Sequence, residues 1–229
     1  MTASTRIVEV RRNVLKANDE IARELRERFE RAGVCVISLV SSPGSGKTAF
    51  LERTLTILRD RGARVAALVG DLATDNDAQR LARSGAPVKQ IVTGTTCHLD
   101  ASMVRNALEG WEPESFDFLF IENVGNLVCP ASYDLGERAR LVLLSVTEGE
   151  DKPLKYPSIF NSADVAVITK ADLAEAVAFD TAAVLRNVET VRPGMEVRLV
   201  SARSGEGMEA MAGWLLAITG IPKPSAPAL

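Results

Sequence analysis

The stretch Val34-Cys-Val-Ile-Ser-Leu-Val-Ser-Ser-Pro-Gly-Ser-Gly-Lys-Thr48 constrains the architecture of this chain more than any other segment. Val34–Val40 is a mostly apolar run of the kind that forms a strand buried on both faces. It stops at a Ser/Pro/Gly turn. After Lys47, the apolar residues Phe50, Leu51, Leu55 and Leu58 recur at helical spacing until Gly62. Strand, glycine-rich turn and helix start together make an anion cradle. Small residues let backbone N–H groups curl around a phosphate, and the helix N-terminus adds partial positive charge. Lys47 is placed to reach the β- and γ-phosphates of a nucleotide, and the Thr48 hydroxyl to ligate Mg²⁺. Ser41 occupies the position where the pattern G-x-x-x-x-G-K-[ST] has its first glycine, but the flanking strand and helix supply the required context. Candidate nucleotide contacts are Gly44, Ser45, Gly46, Lys47, Thr48 and Ala49. The competing reading is a Gly/Ser turn with no ligand.

A chain of 229 residues suffices for one large α/β domain. A net charge of −3 and an isoelectric point near 5.4 give no basic footprint for nucleic acid. No run of about 18 apolar residues is present, so no membrane span is expected. The first residues lack the apolar core of a secretion signal, and the 3 cysteines are an odd number. Both point to a reducing, cytoplasmic setting.

Apolar and periodic segments alternate along the chain. Strands are expected at 34–40, 64–70, 88–92, 116–122, 141–147, 164–169 and 196–200, and helices at 47–61, 76–84, 99–110, 180–190 and 207–219. Such alternation implies right-handed crossovers, a mostly parallel central sheet flanked by helices, and ligands beyond the carboxyl ends of the strands. Residues 5–31 read as one amphipathic helix with Ile7, Val10, Val14, Ile21, Leu25 and Phe29 near one face. The expected division is an N-terminal helix packed on the rest (1–32), a nucleotide-binding domain (33–221), and a Pro-rich disordered tail (222–229).

Polar residues fall where strands end. Asp71 follows one strand, and Glu122-Asn-Val-Gly125 follows another. An acid at such a point can hold Mg²⁺ or its waters, and the Gly125 N–H could sense a γ-phosphate. Helix capping is the plainer role for either acid. Thr169-Lys-Ala-Asp172 resembles the N-K-x-D base-reading element of GTPases, with Thr169 in place of Asn. The Asp172 carboxylate can accept two N–H bonds from guanine, which adenine cannot offer, while the Lys170 stem lies along the base. Ser201-Ala202, after the last strand, resembles the loop whose backbone N–H meets guanine O6.

His98 is the only histidine and adjoins Cys97; Cys129 lies just past the Glu122 element. Thiolates with an imidazole suit Zn²⁺ or Ni²⁺. The residue types alone leave two readings open, a metal set or two small buried thiols beside a helix-start histidine. Cys35 lies inside the first strand and reads as core.

The order of these motifs resembles the HypB family, the nickel-incorporation GTPases of [NiFe]-hydrogenase maturation. The resemblance rests on Ser41–Thr48, Gly70–Ala78, Thr95-Thr-Cys-His-Leu-Asp100, Glu122-Asn-Val-Gly-Asn-Leu-Val-Cys-Pro130, Asp151-Lys-Pro-Leu-Lys-Tyr-Pro157 and Thr169–Asp172. It runs from about residue 5 to about residue 220. It implies a P-loop NTPase fold (a G domain of the SIMIBI-like kind) that binds GTP and GDP with Mg²⁺ and hydrolyses GTP. It further implies a GTP-bound homodimer whose interface holds Ni²⁺ or Zn²⁺ on Cys97, His98 and Cys129, with Mg²⁺ on Thr48, Asp71 and Glu122. The catalytic set is then Lys47, Asp71 and Glu122. The implied partners are a HypA-like nickel metallochaperone and the hydrogenase large-subunit precursor. Unlike some members, the chain shows no Cys-rich or His-rich N-terminal stretch, so no separate nickel store is expected. Alternatives are a urease nickel GTPase, a GTPase chaperone of cobalamin-dependent mutases, and a small-molecule kinase. Adjacent Cys97 and His98 argue against the first, the metal set against the second, and Asp172 against the third. Lys47→Ala is expected to abolish GTP hydrolysis, as measured by phosphate release.

Overall fold

A computed structural model of the chain describes residues 3–71 and 76–220. The expected tail, the 72–75 part of the Gly70–Ala78 motif, and the side chains of Ile7 and Val10 lie outside the described residues. Seven strands are present: β1 (Cys35–Ser41), β2 (Val65–Asp71), β3 (Val88–Val92), β4 (Phe118–Glu122), β5 (Ala139–Ser145), β6 (Val165–Thr169) and β7 (Glu196–Leu199). They form one sheet in the order β3-β2-β4-β1-β5-β6-β7. Every pairing is parallel. All carboxyl ends therefore share one edge, and β1 sits at the point where the order reverses, between β4 and β5. That is the crevice where open α/β sheets bind ligands.

The helices are α1 (Ala3–Ala32), α2 (Lys47–Asp60), α3 (Asn76–Ala82), α4 (Ala101–Ala107), α5 (Lys152–Lys155), α6 (Pro157–Ser162), α7 (Thr181–Val191) and α8 (Met208–Thr219). Successive strand residues point to opposite faces, and β1 obeys this strictly. Cys35, Ile37 and Leu39 pack with Phe50, Leu51 and Leu55 of α2 and Met211 and Leu215 of α8. Val36 faces the other way, with Ala22, Leu25 and Phe29 of α1 and Val104 of α4. Being covered on both sides is why the strands read as unbroken apolar runs.

Two differences from the sequence reading have local causes, and a third is set by packing. The fifth strand starts and ends two residues earlier than 141–147, because Ser145 turns the chain into a 3₁₀ turn over Val146–Glu148. The Ser145 hydroxyl accepts from Thr147 N–H, and the Glu148 carboxylate accepts in turn from Ser145 N–H, a capping box. The fourth helix begins at Ala101, since Asp100 caps it by accepting from Met103 N–H at 2.8 Å. Val14, assigned to the apolar face of α1, is 49% exposed; Leu25 and Phe29 are buried as expected, and Asn18 and Ala22 complete the stripe. The short α5 and α6, each with proline in its first turn, have no sequence periodicity to announce them.

A buried ion pair fixes the segment after β4. Arg140 and Glu137 approach to 2.6 Å with side chains only 8% and 6% exposed. Arg140 also donates to the carbonyls of Pro130 (3.2 Å) and Tyr133 (2.6 Å), and Ser38 donates to Glu137 Oε1 (2.9 Å). The turn this creates lies tightly on α1. Gly136 has φ 80°, and a Cβ there would meet the Ala22 carbonyl oxygen at 2.8 Å. Gly136→Ala is expected to destabilise the protein by about 2 kcal/mol through left-handed strain and the clash. A lower urea midpoint at unchanged slope checks this.

Candidate nucleotide and metal sites

The loop between β1 and α2 turns through two left-handed glycines, Gly44 (φ 74°) and Gly46 (φ 90°). Its inner wall is Ser41, whose hydroxyl accepts from Ser45 Oγ (2.5 Å) and Lys47 Nζ (2.9 Å). The serine in the first-glycine position thus serves as an internal anchor for the loop. Ser42 donates its hydroxyl proton to the Glu148 carboxylate in a very short contact, which ties the loop to the capping box after β5. From β6, Thr169 Oγ1 donates to the Ser45 carbonyl (2.6 Å), and Lys170 Nζ donates to the Gly44 carbonyl (2.8 Å). Thr169, which stands where the N-K-x-D pattern has Asn, thus staples the loop after β1 to the segment that carries Lys170 and Asp172. That element is itself closed by Ser201 Oγ donating to Asp172 Oδ1 at 2.6 Å, with Ala202 next in the chain. Gly44, Ser45, Gly46, Lys47, Thr48 and Ala49 are brought to the same sheet edge as Lys170, Asp172, Ser201 and Ala202.

Glu122 ends β4 and is 2% exposed. Its Oε1 accepts from Thr48 Oγ1 at 2.8 Å, while Oε2 has no hydrogen-bond partner. Burial pushes its carboxyl up to about 7, against the opposing pull of Lys47 and Thr48. An orphaned carboxylate oxygen beside a threonine hydroxyl is a hard-oxygen donor set that fits Mg²⁺. Burial in turn lowers the Lys47 pKa, while Glu122, Asp77, Glu148 and Asp71 act to raise it. Asp71 lies at the end of β2, which pairs with β4, and contributes charge to the same crevice.

The two thiols and the imidazole come together one step along the edge. The ligand atoms of Cys97, His98 and Cys129 all lie within 4.8 Å of one another. Cys97 Sγ is 3.2 Å from Cys129 Sγ and 4.0 Å from His98 Nδ1. Burial lowers the His98 pKa, with Asp100 opposing; this favours the neutral ring that ligates metal. Three ligands leave a fourth position open. Cys35 is absent from this cluster: it lies buried in β1 and burial pushes its thiol up to about 11.

Several residues that shape the cluster were given no role in the sequence reading. Asn126 donates Nδ2–H to the Cys97 carbonyl (3.1 Å) and accepts Val128 N–H on Oδ1 (2.9 Å). Asn123 Oδ1 accepts from both Leu99 N–H (3.0 Å) and Val124 N–H (2.9 Å). The Tyr133 ring packs on His98 at 4.0 Å between centroids. The asparagines were visible within the Glu122–Pro130 block, but only the fold shows that they tie it to the Cys97 turn. Nothing local in the sequence marks Tyr133.

The two sites share one short segment. Glu122 touches the phosphate-loop helix, and Cys129 is seven residues further on. Between them Gly125 lies so close to the loop that a Cβ would meet Pro43 Cα at 2.9 Å.

An all-parallel sheet with this loop after its central strand, an acid at the neighbouring strand end and a closed Asp172–Ser201 element defines a P-loop nucleotide-binding protein of the GTPase class. Residues 35–198 match the family model described as "CobW/HypB/UreG, nucleotide-binding domain". The hydrogenase maturation factor HypB of Rhizobium leguminosarum bv. viciae is 52% identical over 210 residues, 92% of this chain and 70% of that protein. The hydrogenase/urease maturation factor HypB of Helicobacter pylori is 42% identical over 217 residues, 93% of this chain and 88% of that protein. The crystal structure of HypB from Helicobacter pylori in complex with nickel superposes with a TM-score of 0.84 at 41% identity, covering 93% of this chain and all of that one. HypB from Archaeoglobus fulgidus gives 0.82 at 36% identity, over 90% of this chain and all of that one. The chain belongs to the HypB family of hydrogenase maturation factors. A LAO/AO transport system kinase, at 18% identity and a TM-score of 0.51, shares the fold alone.

The Glu122 carboxyl has a pH consequence for the protein free of nucleotide and metal. Its folded pKa of about 7 exceeds the ordinary 4.5, so the folded state holds the proton more tightly. That stabilisation is complete below the unfolded pKa and is lost as pH rises through the folded one. The wild-type unfolding free energy measured in urea should fall by a few kcal/mol (order of magnitude) as pH rises between these two values, and Glu122→Gln should flatten the profile.

Proposed function

We propose that the chain is a Mg²⁺-dependent GTPase that delivers nickel during [NiFe]-hydrogenase maturation, with nucleotide state controlling the Cys97–His98–Cys129 site. The observation that carries this reading is the shared segment from Glu122 to Cys129, which touches the phosphate loop at one end and bears a metal ligand at the other.

In this reading Lys47 and the amides of Gly44 to Ala49 hold the phosphates, and Asp71 orients the attacking water. Asp172 and Lys170 hold the base, aided by Ser201 and the Ala202 N–H. Thr48, Glu122 and Asp71 are the residues that would hold Mg²⁺, which would supply charge neutralisation at the phosphates. Nickel is cargo, bound by Cys97, His98 and Cys129; the same donors accept Zn²⁺. GTP favours a homodimer that brings two ligand sets together. Val128, beside Cys129 and 62% exposed, would lie in that contact. Hydrolysis then loosens the contact and releases the ion to the hydrogenase large-subunit precursor, with a HypA-like metallochaperone as the upstream partner. Residues 1–32 are read as the N-terminal unit and 33–221 as the GTP-binding domain, and the working compartment is the cytoplasm. Among the described residues no helix is long and apolar enough to cross a membrane.

A second reading, delivery to a urease precursor, is favoured by one observation: the Helicobacter pylori relative is named a hydrogenase/urease maturation factor. Activation of one apo-enzyme and not the other separates the two.

The test is a Ni²⁺ titration of the reduced protein with GDP and with a non-hydrolysable GTP analogue, following thiolate-to-nickel absorbance and molecular mass together. The expected result is stronger absorbance and a doubled mass with the GTP analogue, both lost in Cys97→Ala. Nickel binding indifferent to nucleotide and to Cys97 would contradict it.

A further inference from the structure

The buried stripe of α1 contains one polar side chain among the described residues, Asn18, which is 5% exposed between apolar neighbours. A buried amide costs free energy unless both its ends are bonded. Asn18 Oδ1 accepts from Ala101 N–H at 2.9 Å. Its Nδ2 donates to the Asp134 carbonyl, also at 2.9 Å. These two partners belong to the two separate segments that bear the thiols and the imidazole. Ala101 is three residues after His98. Asp134 is five residues after Cys129 and directly follows Tyr133, whose ring packs on His98.

The surroundings reinforce the bridge. Arg26, two turns further along α1, grips the Asp134 carboxylate with Nη2 at 2.7 and 2.8 Å from its two oxygens. Asp134 Oδ1 also accepts from Gly136 N–H at 2.8 Å. From the other side Arg140 holds the Tyr133 carbonyl at 2.6 Å. A helix recruited only to cover the sheet would carry an apolar residue at position 18, and two backbone groups would then be left unpaired. The amide instead spans the gap between the ligand-bearing segments and fixes their separation.

We propose that Asn18 is a positioning residue for the Cys97–His98–Cys129 site, so that α1 acts as a clasp that sets the spacing of the thiolates and the imidazole. This rests on the reading of that cluster as a metal site. It touches none of the ligands and acts only through the Ala101 and Asp134 backbone, in the manner of outer partners that orient metal ligands.

The full chain is titrated with Ni²⁺ alone, comparing wild type, Asn18→Ala, Asn18→Asp and Leu25→Ala. Asn18→Asp keeps the acceptor for Ala101 N–H but turns a carboxylate oxygen on the Asp134 carbonyl, and serves if Asn18→Ala does not fold. Leu25→Ala weakens the same helix from the core stripe without touching either bond. Both Asn18 variants are expected to bind nickel about 10-fold more weakly, with a displaced thiolate-to-nickel band and unchanged GDP affinity. Leu25→Ala is expected to lose thermal stability and keep the wild-type band and nickel affinity. Wild-type nickel binding in the Asn18 variants would overturn the proposal. So would equal nickel loss in Leu25→Ala, since that would mark a general effect of helix stability. Absence of Cys97-dependent nickel binding in the wild type would remove the metal reading itself, and the positioning role with it.

Discussion

The hydrogen bond from Thr48 to Glu122, with Gly125 pressed against Pro43 just beyond it, is the constraint on which the rest of the structure hangs. It joins the first turn of the phosphate-loop helix to the end of the neighbouring strand across the crevice at β1. Because β4 is buried in the sheet on both sides, the acid cannot retreat into solvent when the loop changes. Thr48 and Pro43 thus bear directly on the segment that continues to Cys129. Packed interiors convert small displacements into discrete rearrangements, and in the proposed reading this segment joins the two sites.

The electrostatics of the crevice point the same way. Glu122 and Lys47 are both largely buried, and burial works against the charge on each. Such an arrangement is costly in the protein alone and is relieved by groups that carry opposite charge into the crevice. In the proposed reading a phosphate would answer Lys47, and a divalent cation Glu122. Local cost of this kind is typical of sites that trade stability for function. The thiol and imidazole cluster obeys a different rule. The segments that carry its side chains are tied by amide bonds from Asn123, Asn126 and Asn18, with Arg26 and Arg140 holding Asp134 and Tyr133 behind them.

Much of this was legible in the sequence, for physical reasons that can be named. A sheet covered on both faces demands long apolar strands, so β1, β2 and β4 announced themselves. The phosphate loop was readable because only small residues allow its left-handed turns at Gly44 and Gly46. What escaped were features set by partners far away in the chain. Thr169 looked like a weakened base-reading residue, and its hydrogen bond to Ser45 spans 124 residues. Asn18 was given no place in the sequence reading, and Val14 was given the inward place that the pairing of α1 with α4 assigns to other residues. The early end of β5 and the short proline-led helices after it depend on a capping box and on packing, neither of which has a long-range period. The cysteine–histidine cluster was half legible: the ligand types were visible, but their convergence required the fold and its asparagine ties.

The central claim is that nucleotide and nickel sites are coupled through the segment from Glu122 to Cys129. By linkage, a GTP analogue that tightens nickel must itself be tightened by nickel to the same degree. The most direct measurement is therefore the affinity for a GTP analogue with and without saturating Ni²⁺, in the wild type and in Gly125→Ala. The account predicts an affinity ratio of about 10 or more in the wild type, falling towards one in the variant, where the added Cβ breaks the contact with Pro43. A ratio of one in the wild type, or an unchanged ratio in folded Gly125→Ala, would contradict it.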